Sequence, residues 1–319
     1  MQISLELEKV DVKGVKLFAP ASIANISCGF DVLGFCLDKV GDEIIVRKST
    51  QPGVRITKIE GQKLPLATKE NVAGVAAEAL LEKHPCDFGF EIEIYKGIKA
   101  GSGIGSSAAS SAGAVFGINA LLGEPFTRNQ LIEFAMKGEE LASGTAHADN
   151  VSPALLGGFT LVRCGQKPDV ISLPSPQELY ATIIHPKIEL RTADARSVLK
   201  RTISLEKGIQ QWGNLAALVS ALFMDDYDLM SRSLVDVVIE PERSALIPHF
   251  KEMKEAAIAA GALGSGISGS GPSIFNLSKG QATAEKVRQA LIDSFSPVGI
   301  EFDTFVSPIN KKGVQLITP

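Results

Sequence analysis

Residues 99–122 read K-A-G-S-G-I-G-S-S-A-A-S-S-A-G-A-V-F-G-I-N-A-L-L. The loop Gly101-Ser102-Gly103-Ile104-Gly105-Ser106-Ser107 runs directly into an alanine-rich segment that suits a helix. Glycine lets backbone N–H groups approach an anion closely, and the free N–H groups at a helix start favour negative charge. Serine hydroxyls add donors and can ligate a metal. The stretch therefore predicts a phosphate cradle. A linker would not continue its small residues for two more turns, alternating with Val115, Phe116, Ile118 and Leu121. The loop is no P-loop, because no lysine follows its last glycine, and Ser106 stands where G-x-G-x-x-G needs its third glycine.

The 319 residues exceed what one hydrophobic core normally serves, so two domains are expected, 1–165 and 166–319. The Pro-rich run from Gln166 to Gln177 marks the boundary. A net charge of −4 with no Lys/Arg run gives no footprint for nucleic acid or an anionic membrane. Residues 1–20 lack the apolar centre of a signal peptide, and no apolar run is long enough to span a bilayer. Cys28, Cys36, Cys86 and Cys164 have no C-x-x-C spacing, so they read as reduced thiols of a cytoplasmic protein.

Alternation predicts strands at Ile3–Glu8, Val15–Ala19 (ended by Pro20), Ile44–Arg47, Val54–Ile59, Phe88–Tyr95, Phe159–Arg163, Leu179–His185 and Ile300–Val306. Helical spacing predicts Asn71–Lys83, Thr127–Leu141, Arg196–Lys200, Leu205–Phe223, Tyr227–Leu234, Ala245–Ala260 and Gln281–Phe295. Glu139 and Glu140 fall in the last turn of the second of these, against the helix dipole, which hints that one of them binds a metal.

Gly264-Ser265-Gly266-Ile267-Ser268-Gly269 satisfies G-x-G-x-x-G literally. The chain continues through Ser270-Gly271-Pro272 into the apolar run Ser273–Leu277, so its context is strand, turn, strand. A dinucleotide site needs strand then helix, which removes the mechanical basis for a nicotinamide dehydrogenase. A hairpin needs fewer glycines, so this backbone is expected to approach a ligand or the first loop.

Three segments together carry a family resemblance: P-A-S-I-A-N (20–25) with Gly29-Phe30-Asp31, the cradle G-S-G-I-G-S-S-A-A, and G-S-G-I-S-G-S-G-P-S near the end. In order and spacing they resemble the three motifs of the GHMP kinases. The family usually has proline where this chain has Lys99. Within the family, A-N-I-S-C-G-F-D-V-L-G, H-A-D-N-V-S-P-A-L-L-G-G (147–158), T-A-D-A-R (192–196) and E-P-E-R (240–243) most resemble the branch that phosphorylates L-homoserine. The resemblance implies an α+β, two-domain fold: an N-terminal half like ribosomal protein S5 domain 2, with a left-handed βαβ crossover, and a ferredoxin-like C-terminal half. ATP and Mg²⁺, a homodimer, and a step toward threonine are implied as well. A GHMP kinase for mevalonate or a sugar, a non-catalytic sensor on the same fold and, from a different class, a nicotinamide dehydrogenase built on Gly264–Gly269 are the rival readings.

Carried over by position, Gly101, Ser102, Gly103, Ile104, Gly105, Ser106 and Ser107 would wrap the triphosphate, with Asn71 and Lys96 as further nucleotide contacts. Ser107 and Glu139 would hold Mg²⁺, and Ser268, Gly269, Ser270 and Gly271 form the third glycine motif. For an amino-acid substrate, Arg196 and Arg243 suit the carboxylate, and Asp31 with Asn25 suits the ammonium. His147, Asp149 and Asn150 would line the pocket near the reacting hydroxyl. Taken alone, His147 reads as a hydrogen-bonded core histidine and the two arginines as surface residues. Two proton routes stay open: Asn150 orients a hydroxyl that deprotonates late, toward the phosphate, or Asp149 takes the proton directly.

Overall fold

The computed structural model describes residues 14–163 and 168–317; the expected strand Ile3–Glu8 and Cys164 lie outside these. Apolar alternation builds β1 (Gly14–Ala24) and β2 (Leu33–Ser49), antiparallel, with Leu17 opposite Ile44 and Ile23 opposite Phe35. Both strands outrun their predicted bounds. Pro20 does not end β1, because a register shift between Pro20 and Ser22 absorbs the missing donor. β3 (Gly53–Glu60), α1 (Val72–Lys83) and β4 (Gly89–Tyr95) form a βαβ unit whose strands pair in parallel, and β4 runs antiparallel to β2.

After the glycine loop come α2 (Ser106–Leu121), α3 (Arg128–Ser143) and α4 (Val151–Leu156). Small residues let α2 lie directly on the sheet. A Cβ at Gly117 would stand 2.5 Å from Val46 Cγ2, and one at Gly113 would run into Ile44. Nearly every α2 side chain is buried as a result.

β5 (Phe159–Arg163) pairs with the start of β2, and β6 (Asp169–Leu173) pairs with β5. The N-terminal sheet thus continues past residue 165, where the composition placed the domain boundary. The second half holds β7 (Leu179–Pro186), α5 (Thr192–Ser197), α6 (Leu205–Met224), α7 (Tyr227–Ser233), α8 (Glu240–Arg243), α9 (Phe250–Ala259), β8 (Gly264–Ile267), β9 (Ile274–Lys279), α10 (Gln281–Phe295) and β10 (Phe302–Pro308). Its antiparallel sheet has the order β10-β7-β9-β8, the ferredoxin-like arrangement. A core of Ile184, Met253, Leu291 and Phe295 lies beneath it. Finally β11 (Gln315–Leu316) returns to the first sheet beside β1. The helix expected from Ala245 begins only at Phe250, beyond Pro248, which cannot donate inside a helix.

Candidate active site

The glycine loop lies between β4 and α2, and a buried ion pair fixes both of its ends. Lys96, just after β4, is 1 % exposed and Asp42 is 0 % exposed. Nζ of Lys96 donates to Asp42 Oδ2, to Ser106 O (3.1 Å) and to Ser110 Oγ (3.0 Å). Oδ1 of Asp42 accepts from Gly97 N and Ile98 N, each at 3.0 Å. Burial lowers the Lys96 pKa and raises that of Asp42, and each charge offsets the other's shift. An ammonium has three donors, and here all three are committed within the protein. Lys96 therefore braces the loop from within the protein, a role that the sequence did not reveal.

Asn71 is also placed differently. It caps α1, its Oδ1 accepting from Ala73 N at 3.0 Å while Nδ2 donates to Pro65 O at 2.8 Å. One amide N–H is left for any other partner. In the loop, Gly101, Gly103 and Gly105 take φ of +75°, +80° and +71°, conformations costly for other residues. Ile104 buries its side chain in the core and offers the loop only backbone. Ser102 is 1 % exposed, and its Oγ meets no partner.

The second glycine cluster meets the first loop. Ser268 Oγ donates to Gly103 O at 2.7 Å and Ser273 Oγ to Ser102 O at 2.6 Å. A Cβ on Gly103 would stand 2.5 Å from Gly271 O. Ser270 Oγ accepts from Thr192 Oγ1 at 3.4 Å. The excess of glycine over what a hairpin needs thus serves a backbone-on-backbone contact, one of the two expectations.

The two loop serines divide. Ser106 Oγ donates to Ile98 O at 3.0 Å, so its hydroxyl is structural. Ser107 hydrogen-bonds the carboxylate of Glu139, which is 7 % exposed on α3. Burial pushes the Glu139 carboxyl up to about 7; the Ser107 hydrogen bond opposes this and the Asp149 charge adds to it. Glu140 points outward to Lys137.

Asp149 is 3 % exposed, and its Oδ1 has no hydrogen-bond partner. Burial, then the Asp31 charge, pushes its carboxyl up to about 7. It acts electrostatically on Glu139 on one side and on Arg243 on the other. Asn150 accepts from Ser22 Oγ at 2.8 Å, which holds the amide beside Gly105.

Facing this group is a charged cluster. Asp31 and Arg196 form a two-point pair, Nη2 to Oδ1 at 2.8 Å and Nη1 to Oδ2 at 3.3 Å. His147 Nε2 lies 2.8 Å from Arg196 Nη2, and burial lowers its pKa, so the ring is a neutral acceptor. Arg243, 3 % exposed, donates to Ala195 O (2.9 Å) and Gly269 O (3.1 Å), and burial moves its pKa down to about 10. Asn25 and Asp31, expected together at the substrate ammonium, are already tied to each other. Its Nδ2 donates to Gly269 O at 2.6 Å and its Oδ1 accepts from Asp31 N at 3.0 Å.

Sequence reading missed Phe30, whose ring lies 4.9 Å from the Arg243 guanidinium and 5.5 Å from that of Arg196. Stacking on its face offsets the mutual repulsion of the two cations. Only its place beside Asp31 could have pointed to it. Asn25, Ile26, Ser27 and Asp31 all have positive φ, from 36° to 75°. Such strain in non-glycine residues persists where surrounding structure enforces it, most often at functional sites.

Residues 71–158 match the GHMP kinases N terminal domain, and residues 217–297 match the GHMP kinases C terminal domain. The chain is 46 % identical to a homoserine kinase of Chlorobium phaeobacteroides (strain DSM 266 / SMG 266 / 2430), covering 96 % of this chain and all of that one. It is 40 % identical to a homoserine kinase of Xylella fastidiosa (strain M12), covering 95 % and 94 % of the two chains. Its structure resembles that of homoserine kinase from Cytophaga hutchinsonii ATCC 33406, with a TM-score of 0.92, 49 % identity and coverage of 96 % and 98 %. The L. major mevalonate kinase in complex with R-mevalonate shares the fold, with a TM-score of 0.69 at 16 % identity, over 92 % and 96 % of the two chains.

Proposed function

We propose that this chain, which belongs to the GHMP kinase family, transfers the γ-phosphoryl group of ATP to the side-chain hydroxyl of L-homoserine, giving O-phospho-L-homoserine and ADP in threonine biosynthesis. The observation that carries the substrate is the Asp31–Arg196 pair with Arg243 beside it. A carboxylate and a guanidinium held face to face are the charge complement of a zwitterion. The substrate carboxylate takes the arginines and its ammonium takes Asp31. Mevalonate has no ammonium to offer Asp31, so it would use only the arginine half of this pair.

The loop N–H groups and the α2 N-terminus hold the phosphates. Ser107 and Glu139 suit Mg²⁺, a hard cation usually bound by one or two carboxylates plus substrate phosphates. The raised Glu139 pKa marks a buried carboxylate that a cation would relieve. When bound, Mg²⁺ supplies neutralisation of phosphate charge. Asn150, fixed by Ser22, orients the hydroxyl. The hydroxyl oxygen forms the new O–P bond, the β–γ bridging O–P bond breaks, and ADP leaves with its electron pair. The proton goes to Asp149, whose pKa near 7 suits acceptance at neutral pH, whereas the Asn150 amide cannot accept it. The same reading makes the enzyme a cytoplasmic homodimer; Cys28, Cys36 and Cys86 are free thiols.

Coupled ADP release with homoserine, mevalonate and galactose tests the reading. Homoserine is expected to exceed the others in kcat/KM by roughly 100-fold or more, since a site built for polar groups strongly rejects a substrate lacking them. Comparable or faster turnover of mevalonate overturns it. For the proton, kcat/KM should fall about tenfold per unit below about pH 7 as Asp149 protonates. At saturating Mg²⁺, which would hold Glu139 ionised, Asp149→Asn should abolish that limb and lower kcat by about 10²–10⁴. A limb that survives the substitution places the proton elsewhere.

A further inference from the structure

The helix α6 has a second face that the fold leaves open. Its inner face buries Gly208, Gln211, Leu218, Ala221 and Leu222. On the other side Leu205 (69 % exposed), Ile209 (57 %), Trp212 (58 %) and Phe223 (63 %) are joined through exposed Ala216 and Ser220 into one stripe, with Met224 (66 %) at its shoulder. Their spacings of three and four residues keep them on one side of the helix. From Gly208 to Met224 there is no Asp, Glu, Lys or Arg. Solvated helix faces normally carry such charges.

We propose that this stripe is the contact between two copies of the chain, an inference that rests on the homodimer reading above. Two features select a second copy as the occupant. The five large residues expose on the order of 600 Å², at the top of the ~300–600 Å² of the largest apolar patch on a typical monomer and most of the ~800 Å² that each partner gives to a standard interface. The stripe is also self-complementary about Ala216. A two-fold axis there, with α6 antiparallel to its mate, sets Ile209 against Phe223, Trp212 against Ser220 and Ala216 against itself. Small residues at the centre let the helices approach, and large ones close the ends, as an isologous interface requires. The contact also bears on the substrate site. Gln211, next to Trp212 but facing inward, donates to Cys28 O (3.2 Å) and Asp236 Oδ1 (2.9 Å), so it ties α6 to the strained segment that carries Asn25 and Asp31.

Sedimentation and light scattering on the full chain should give twice the 33.8 kDa chain mass. Trp212→Glu should weaken dimerisation at least 100-fold while circular dichroism stays unchanged. Ala216→Cys should cross-link through a short bis-maleimide, and Lys251→Cys on α9 should not. A wild type that stays monomeric across the concentration range sinks both the homodimer and this surface. A dimer that survives Trp212→Glu, or that Lys251→Cys traps and Ala216→Cys does not, sinks this surface alone. Should Trp212→Glu aggregate, the cross-linking pair decides. The homoserine assay is independent of all these outcomes.

Discussion

Glu139→Gln is expected to lower kcat by about 10²–10³ while leaving the protein as stable as the wild type or more so. The loss follows because an amide cannot supply the anionic oxygen that a cation at the phosphates requires, and losing one preorganised electrostatic partner typically costs that much. The stability follows from burial. The carboxyl is held at about 7 in the fold against an ordinary 4.5, so the fold disfavours its ionised form. The contribution of this carboxyl to wild-type stability is therefore fully present below the ordinary value and is lost as pH rises through about 7. Glutamine has no such dependence, so its advantage in chemical denaturation should grow from pH 5 to pH 8. Glu140→Gln, on the exposed side of α3, should change neither quantity. Activity of Glu139→Gln within a few-fold of wild type would remove Glu139 from the cation site.

Lys96→Met is expected to reduce the unfolding free energy by about 3–5 kcal/mol, the usual cost of removing one member of a buried ion pair. Asp42 would keep two backbone N–H donors but lose its counter-charge in a site without solvent. The double variant Asp42→Asn/Lys96→Met leaves no buried charge and should recover a large part of the loss, a coupling visible in a double-mutant cycle. Urea denaturation of the three variants reads this directly. A single variant within about 1 kcal/mol of wild type, on the scale of an exposed pair, would show that the pair does not anchor the loop.

How much of the site was legible depended on whether a residue's role is local. Gly103 and Gly105 could be read as loop formers because a backbone conformation is set by neighbours in sequence. Ser107 with Glu139, and the clustering of Asp31, His147, Arg196 and Arg243, followed from family position, since these residues are far apart in the chain. Lys96 and Asn71 carry structural roles beside the nucleotide contacts expected of them. A lysine after a strand looks available, and nothing near it in sequence reveals Asp42, 54 residues away, as its partner, whereas the Asn71 cap on α1 is local. Asn25 and Asp31 are expected at a substrate ammonium, and only the fold shows that each also has a protein partner. The open stripe on α6 was invisible as well. Its apolar spacing reads like that of any helix packed on a core, and only exposure separates the two faces.

The sequence by itself determined the elements with strong periodicity, the glycine loop running into its helix, the strand-turn-strand context of the second glycine cluster, and the family. Periodicity, turn chemistry and motif order are properties of neighbouring residues. Tertiary structure alone decided that the second cluster buttresses the first, that Lys96 is committed to Asp42, that the Phe30 ring lies against two guanidinium groups and that Asp149 is buried among the charges of Glu139, Asp31 and Arg243. Each of these depends on distance and burial between segments far apart in the chain, as Asn25 and Gly269 are at a separation of 244, and desolvation and Coulomb energy follow spatial rather than sequence separation.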